Sequence, residues 1–190
     1  GSMSDLVSDT IGGFNSMIEK QKREEGECLV SVVLFNQDQQ VLHDRAALRD
    51  IPKMTIRNYV PSGSTALVDA IGEAIHHIGN IHKYSREEDR PAHTVFIITT
   101  DGMENSSQKY SAEQVRQMVE RQKSKYGWEF LFLGADIDVV ETARSFGIHE
   151  SKAVRHHNDS AGIAENYVAM ETAIRMIRKE GYIDGRWKEG

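Results

Sequence analysis

The segment HTVFIITTDG, residues 93–102, decides how the rest of the chain is interpreted. Its first seven residues are mostly β-branched or aromatic, which is typical of a strand buried inside a parallel sheet. The Thr-Thr-Asp-Gly that follows is polar and turn-forming, so we expect the strand to end there. In open parallel sheets, ligands bind where strands end in this way, at their carboxyl edge.

Outward from this strand, apolar runs of strand length alternate with longer amphipathic stretches, a pattern that predicts an α/β fold. Strands are predicted at residues 28–35, 40–43, 93–99, 128–133 and 153–155, the first two as a hairpin. Helices are predicted over residues 5–24, 66–82, 111–125, 139–146 and 160–179, the third with Ser111 as N-cap and Gln114 three residues on. We expect a mostly parallel central sheet flanked by helices, in one domain spanning residues 1–190.

Two stretches carry more specific expectations. Residues 28–35 (CLVSVVLF) form an almost continuous apolar run, so we expect this strand to be covered on both faces. Residues 182–187 (YIDGRW) contain Asp-Gly between aromatic-flanked residues, which is a hairpin signal.

Composition excludes several classes of protein. The chain has 190 residues with 23 basic and 29 acidic side chains, a formal charge of −6 that argues against a nucleic-acid partner. Cys28 is the single cysteine, so an internal disulfide scaffold is excluded, and we interpret Cys28 as a small core residue. The sequence contains no apolar run long enough to span a bilayer and shows no signal peptide. We therefore expect a cytoplasmic protein without a membrane partner.

Polar residues cluster at three predicted junctions between loops or strands and helices. They are Gly1-Ser2-Met3-Ser4 before the first helix, Gly63-Ser64-Thr65 before the second, and Thr100-Asp101-Gly102 after the strongest strand. Hydroxyl and carboxylate oxygens are hard ligands that suit Mg²⁺ or Mn²⁺ better than zinc. Further residues that could line such a site are Ser4, Ser64, Gly102, Glu104, Asn105 and Asp136, whereas Asp138 is better explained as a helix N-cap.

Zinc is not expected, although the chain has eight histidines. His76 and His77 are adjacent on a predicted helix and point about 100° apart, which is poor geometry for one metal ion. His156 and His157 lie in a polar loop, where a solvated pair is the better interpretation.

The motifs resemble those of a von Willebrand factor A domain of the bacterial or phage type. The similarity rests on Gly-Ser-Met-Ser, on Ser-Gly-Ser-Thr-Ala-Leu before a helix, on Ile-Ile-Thr-Thr-Asp-Gly-Met-Glu-Asn, and on residues 9–18 (DTIGGFNSMI). The resemblance implies a Rossmann-like fold with a metal-ion-dependent adhesion site, in which Ser2, Thr65 and Asp101 are metal ligands. It also implies a protein partner whose acidic side chain completes the coordination of Mg²⁺ or Mn²⁺.

The chain departs from the family pattern at its amino end. It lacks the first aspartate and first serine of the Asp-x-Ser-x-Ser loop, and it lacks the central strand that precedes that loop in the family. Gly1-Ser2 ahead of Met3 has the form of an expression-tag remnant. With Asp101 as the single carboxylate, we expect weakened metal affinity. We also expect the edges left by the absent strand to rearrange or to pair between copies in a homodimer.

A non-enzymatic, metal-assisted protein-binding module is therefore the leading interpretation. One alternative is a metal-dependent hydrolase or phosphoryl-transfer enzyme, in which Asp101 binds metal and Asp136 supplies a second carboxylate. Another is an assembly protein that binds no metal, whose thermal stability would not respond to Mg²⁺.

Overall fold

The computed structural model describes residues 3–35, 39–59, 66–100, 107–135 and 138–189, with the side chains of residues 3–5 excepted. Within these ranges the fold is α/β, with five α-helices, a three-stranded parallel sheet flanked by helices, and a two-stranded antiparallel sheet. The chain divides into two compact units. Unit 1 comprises Gly1–Gly63 with His156–Gly190, and unit 2 is Ser64–Arg155. The single domain expected from the sequence stays a prediction.

The helices and strands follow the predicted order along the chain, with ends shifted by a few residues. They are α1 (Met3–Lys22), β1 (Leu29–Phe35), β2 (Gln39–Ala47), α2 (Leu67–Tyr84), β3 (Val95–Thr100), α3 (Ala112–Tyr126), β4 (Glu129–Gly134), α4 (Val139–Ser145), β5 (Ala153–Arg155) and α5 (Ser160–Glu180). None of the described helices is long and apolar enough to cross a membrane.

Unit 1 is built on the packing of α1 against α5. Their facing sides bury an apolar cluster of Phe14, Met17, Ile18, Ala169, Met170, Ala173, Met176 and Ile177. Asn15 of α1 binds the main chain of Met54 like a strand partner, donating to its carbonyl at 3.0 Å and accepting from its N–H at 2.7 Å. One helix face thus closes the core and also fixes the loop that follows β2.

The carboxyl end of α1 in unit 1 is capped by a side chain from α5. Arg178 donates from Nη1 to the carbonyl and to the side-chain oxygen of Gln21, both at 2.9 Å. Its Nη2 donates to the carbonyls of Glu24, Glu25 and Gly26 at 3.4, 3.2 and 3.1 Å. Gln21 belongs to the last turn of α1, and the other three carbonyls belong to the segment that follows it, so one guanidinium ties the helix end and that segment to α5.

Unit 2 contains the parallel sheet, in the order β3-β4-β5. Val95 pairs with Glu129 and Thr100 with Gly134, so β3 and β4 end together. From Phe130 to Gly134 every residue of β4 is buried, as expected for the middle strand of a covered sheet. The helix α3 begins with the predicted capping box, in which Ser111 and Gln114 bind each other's main chain.

The expectation that residues 28–35 are covered on both faces is wrong. Among the described strands β1 pairs with β2 alone, in antiparallel register, and Leu29 is 48% exposed. A hairpin has no neighbouring strands on its outer sides, so its apolar run stays half-buried. The expected central sheet is correspondingly divided, into a parallel sheet of three strands and this separate hairpin.

The hairpin expected at residues 182–187 is also not formed. Instead the chain makes a 3-10 turn over Gly185–Glu189. The side chain of Asp184 accepts the N–H of Arg186 at 3.0 Å, which supports a tight turn, and Trp187 is completely buried. Burial of the tryptophan ring outweighs the local hairpin preference.

Candidate functional site

The carboxyl edge of the parallel sheet in unit 2 is where the sequence places its candidate site. β3 ends at Thr100 and β4 at Gly134, and the two ends are joined because Ala135 N–H donates to the Thr100 carbonyl at 3.0 Å. Asp101 follows the first strand directly in the sequence and Asp136 follows the second after one residue. One acidic residue therefore follows the end of each of these two adjacent parallel strands in the sequence.

Helix α2 runs against the direction of these strands. Near its carboxyl end, the ring of His82 packs edge-on against Trp128, which immediately precedes β4, with ring centroids 5.5 Å apart. An 18-residue helix is about 27 Å long, so its first turn points toward the carboxyl edge of the sheet. The chain enters α2 directly after Ser64 and Thr65.

Asp69, in the first turn of α2, holds the segment that leads from β3 to α3. Its Oδ1 accepts the main-chain N–H groups of Lys109 and Tyr110, both at 2.9 Å, and its Oδ2 accepts that of Gln108 at 2.8 Å. In return, the N–H of Asp69 donates to Ser107 Oγ at 3.0 Å. We call these four hydrogen bonds the Asp69 clasp.

The clasp also supplies the missing cap of α2. The N-cap residue of this helix is Ala66, which has no side chain able to accept a hydrogen bond. The Ser107 hydroxyl takes over that role from outside the helix. One polar link therefore fixes both the start of α2 and the segment behind β3.

The charge of Asp69 is maintained although the residue is only 7% exposed. Burial opposes ionisation, but the N–H donors of Gln108, Tyr110 and Lys109, with the positive charge of Lys109, outweigh it and lower the pKa of Asp69. Lys109 is itself held by Glu73 at 2.6 Å, a contact that raises the pKa of the lysine. The centre of the clasp is thus an ionised carboxylate that accepts hydrogen bonds from main-chain N–H groups.

Sequence reasoning missed Asp69 and Ser107. Asp69 interrupts an otherwise apolar helix face, between Leu67 and Ile71, and an acid at such a buried position is the signal that identifies it. Ser107 carries no comparable signal, because its role depends on a residue 38 positions earlier in the chain.

The site residues predicted from the sequence fall almost entirely outside the described residues. These are Ser2, Ser64, Thr65, Asp101, Gly102, Glu104, Asn105 and Asp136. Ser4 lies in α1, but its side chain is also outside the description. The structure therefore bears on the candidate metal ligands only through the elements on either side of them.

Other candidate groups are explained by local structure. Asp138 caps α4 by accepting the N–H of Glu141 at 3.2 Å, which confirms its interpretation as an N-cap. Cys28 is half-buried, and burial raises the pKa of its thiol against the opposing charge of Arg178. Within the described ranges, no group of three or more His, Cys, Asp or Glu side chains is arranged to hold a metal ion.

Comparisons of the chain with protein-family models, with curated proteins and with solved structures found no match. The resemblance to von Willebrand factor A domains thus rests on the motifs quoted above.

Proposed function

We propose that the chain is a non-enzymatic protein-binding module with a Rossmann-like fold of the von Willebrand factor A kind. In this proposal Thr65 and Asp101 hold Mg²⁺ or Mn²⁺, and an acidic side chain of a protein partner completes the coordination. Ser2 enters the proposal as a third ligand through the family resemblance alone.

The Asp69 clasp is the observation that carries the proposal. Asp69 lies four residues after Thr65, and the clasped residues 108–110 begin seven residues after Asp101. The clasp joins the chain that follows one candidate ligand to the chain that follows the other. Such a link limits how far apart Thr65 and Asp101 can lie, since each is close in sequence to an anchored point.

The direction of α2 and the donor chemistry add support. The helix start points toward the edge where β3 ends, and Asp101 follows β3 directly. A threonine hydroxyl and an aspartate carboxylate are hard oxygen donors of the kind that Mg²⁺ and Mn²⁺ take in proteins. When bound, the cation would supply a positive, open coordination position for a partner's carboxylate.

The remaining residues that the sequence assigns to the site would form the rim that the partner touches. They are Ser4, Ser64, Gly102, Glu104, Asn105 and Asp136. Neither nucleic acid nor a membrane is part of this proposal, in keeping with the net charge of −6. We propose the cytoplasm as the compartment, because the one cysteine is a free thiol.

Binding of Mn²⁺, followed by electron paramagnetic resonance of the free ion, tests the metal site. We expect the chain to bind Mn²⁺ and the Asp101→Asn variant to bind at least about tenfold more weakly, since a hard cation depends on carboxylate charge. Asp89→Asn is the matched control, because Asp89 is an exposed carboxylate of unit 2 remote in sequence from both ligands. Equal binding by the wild type and Asp101→Asn would overturn the metal site.

A turnover assay separates this proposal from the enzymatic alternative. We expect no hydrolysis of p-nitrophenyl phosphate above background in Mn²⁺ buffer. Hydrolysis that disappears in Asp101→Asn and in Asp136→Asn, but persists in Asp89→Asn, would instead support a phosphoryl-transfer enzyme with two metal-binding carboxylates.

A further inference from the structure

The turn that follows α5 in unit 1 contains an Asp-Gly pair, Asp184–Gly185. The pair lies between two buried anchors, since Ile183 is 5% exposed and Trp187 is completely buried. Gly185 itself is exposed. Asp-Gly pairs are prone to a reaction of the main chain with the carboxyl group, because glycine has no side chain that hinders its amide nitrogen. The sequence has one other such pair, Asp101–Gly102.

Packing does not protect Gly185 in the folded protein. A Cβ atom on this residue would meet no heavy atom of the described part of the chain within 4 Å. Its φ also lies outside the left-handed region, so the main chain here is one that other residues adopt. The space beside the glycine is therefore open, and whatever restrains a reaction at this pair has to act on Asp184.

The carboxyl group of Asp184 is held by Arg186. The main-chain N–H and the Nε of Arg186 donate to Oδ1 at 3.0 and 2.9 Å, and its Nη2 lies 2.9 Å from Oδ2. Arg186 is in turn fixed to α5, because its Nη2 donates to Glu180 at 2.7 Å. A guanidinium beside a carboxyl group favours the ionised form. One residue therefore maintains both the charge and the orientation of the Asp184 carboxylate.

The reaction open to this pair is attack of the Gly185 amide nitrogen on Cγ of Asp184. The N–Cγ bond forms, and the hydroxyl of the neutral acid leaves as water with the amide proton, giving a succinimide. An ionised carboxylate would have to release hydroxide, a much poorer leaving group. Water then adds to the main-chain carbonyl carbon of Asp184 and breaks its bond to the succinimide nitrogen. The product is an isoaspartyl residue of unchanged composition, since one water is lost and one is gained.

We propose that Asp184 is a site of spontaneous conversion to isoaspartate, and that Arg186 slows this conversion by keeping the carboxylate ionised and bound. The main chain of an isoaspartyl residue runs through Cβ and Cγ, so the conversion adds one carbon atom to the main chain between Ile183 and Trp187. Both of these anchors are buried, and a longer connection no longer fits their spacing. The conversion therefore releases Trp187 and detaches the turn from α5.

Storage of the full chain at neutral pH, followed by mass-spectrometric peptide mapping that separates isoaspartyl from aspartyl peptides, tests the proposal. We expect Arg186→Gln to accumulate isoaspartate at residue 184 at least about threefold faster than the wild type. Glu180→Gln is the matched control, because it removes the ion pair of Arg186 with α5 but spares the contacts with Asp184, so the wild-type rate should persist. Asp101–Gly102 is an internal comparator whose rate should be the same in all three proteins.

Gly185→Ala provides a second test, made in the Arg186→Gln background. A methyl group at residue 185 hinders the attacking nitrogen, and the open space there lets the folded turn accept it, so the acceleration should disappear. Molecules that carry isoaspartate at residue 184 should show tryptophan emission at longer wavelength, because Trp187 leaves its buried position. No isoaspartate at residue 184 in Arg186→Gln, equal acceleration by Glu180→Gln, or native emission from the converted molecules would overturn the proposal.

Discussion

The ring of Tyr110 lies directly against the main chain of Gly72 in α2. A Cβ atom on residue 72 would come within 2.6 Å of the ring's Cγ, closer than such atoms approach in proteins. The ring cannot easily move away, because the N–H of Tyr110 is held by Asp69. The clasp and the glycine therefore form one packing arrangement, which fixes the segment between β3 and α3 against the helix.

Gly72→Ala should consequently destabilise the protein even though alanine favours helix. We expect a loss of about 1 to 3 kcal/mol, the usual result of forcing a methyl group into a filled site. Gly79→Ala in the same helix is the control, because the nearest atom to its Cβ would be 3.7 Å away, and it should gain about 0.5 to 1 kcal/mol. Urea denaturation measures both changes, and equal effects of the two substitutions would contradict the packing argument.

Asp69→Asn should destabilise the protein at neutral pH by about 2 to 3 kcal/mol, because an amide replaces a charged acceptor of three N–H groups. The pKa of Asp69 is lowered in the folded protein, so its contribution is complete above the unfolded-state pKa of about 4. That contribution is lost as pH falls through the lower folded-state value. The stability difference between wild type and variant should therefore shrink below pH about 4. Denaturation curves at several pH values measure it, and a constant difference would rule out the titration of Asp69.

Arg178→Lys should weaken unit 1 because an ammonium group cannot reach the spread of carbonyls that the guanidinium binds. We expect a loss of about 1 to 3 kcal/mol, the cost of leaving partly buried carbonyls unsatisfied. The neighbouring Lys179→Gln serves as control, since it removes only a surface pair with Glu24 at 3.4 Å and should change stability by less than about 1 kcal/mol. Thermal and urea unfolding report both, and a loss for Lys179→Gln as large as that for Arg178→Lys would refute the capping role.

Tyr167→Phe should make the protein more resistant to alkali. Burial, with a smaller influence of Tyr59, raises the pKa of the Tyr167 phenol in the folded state. Only the unfolded chain then ionises just above pH about 10, so wild-type stability falls from that pH upward. The variant lacks this loss and keeps the ring that packs on Gly13. Unfolding curves measured between neutral and alkaline pH should show the stabilities of wild type and Tyr167→Phe diverging above pH about 10. A stability difference that stays constant with pH would count against a raised pKa of the phenol.

Local sequence pattern was sufficient to predict the helices, the strands and two caps. Period-3.6 and strand-like apolar runs, together with Ser111 and Asp138 before helices, depend only on neighbours a few residues away. The partition into two sheets and the exposure of β1 depend on which strands meet, which no local pattern encodes. The Asp69 clasp was missed for the same reason, since its partners are about 40 residues distant.

Unit 1 is assembled from the two ends of the chain, and this has a consequence for synthesis on the ribosome. Arg178 binds the carbonyl of Gln21, which was made 157 residues earlier, so this contact between α5 and the end of α1 forms only after unit 2 has been made. Unit 2 is continuous and can fold as soon as Arg155 has emerged. The apolar side of α1 that packs against α5 therefore lacks that partner while unit 2 is being made.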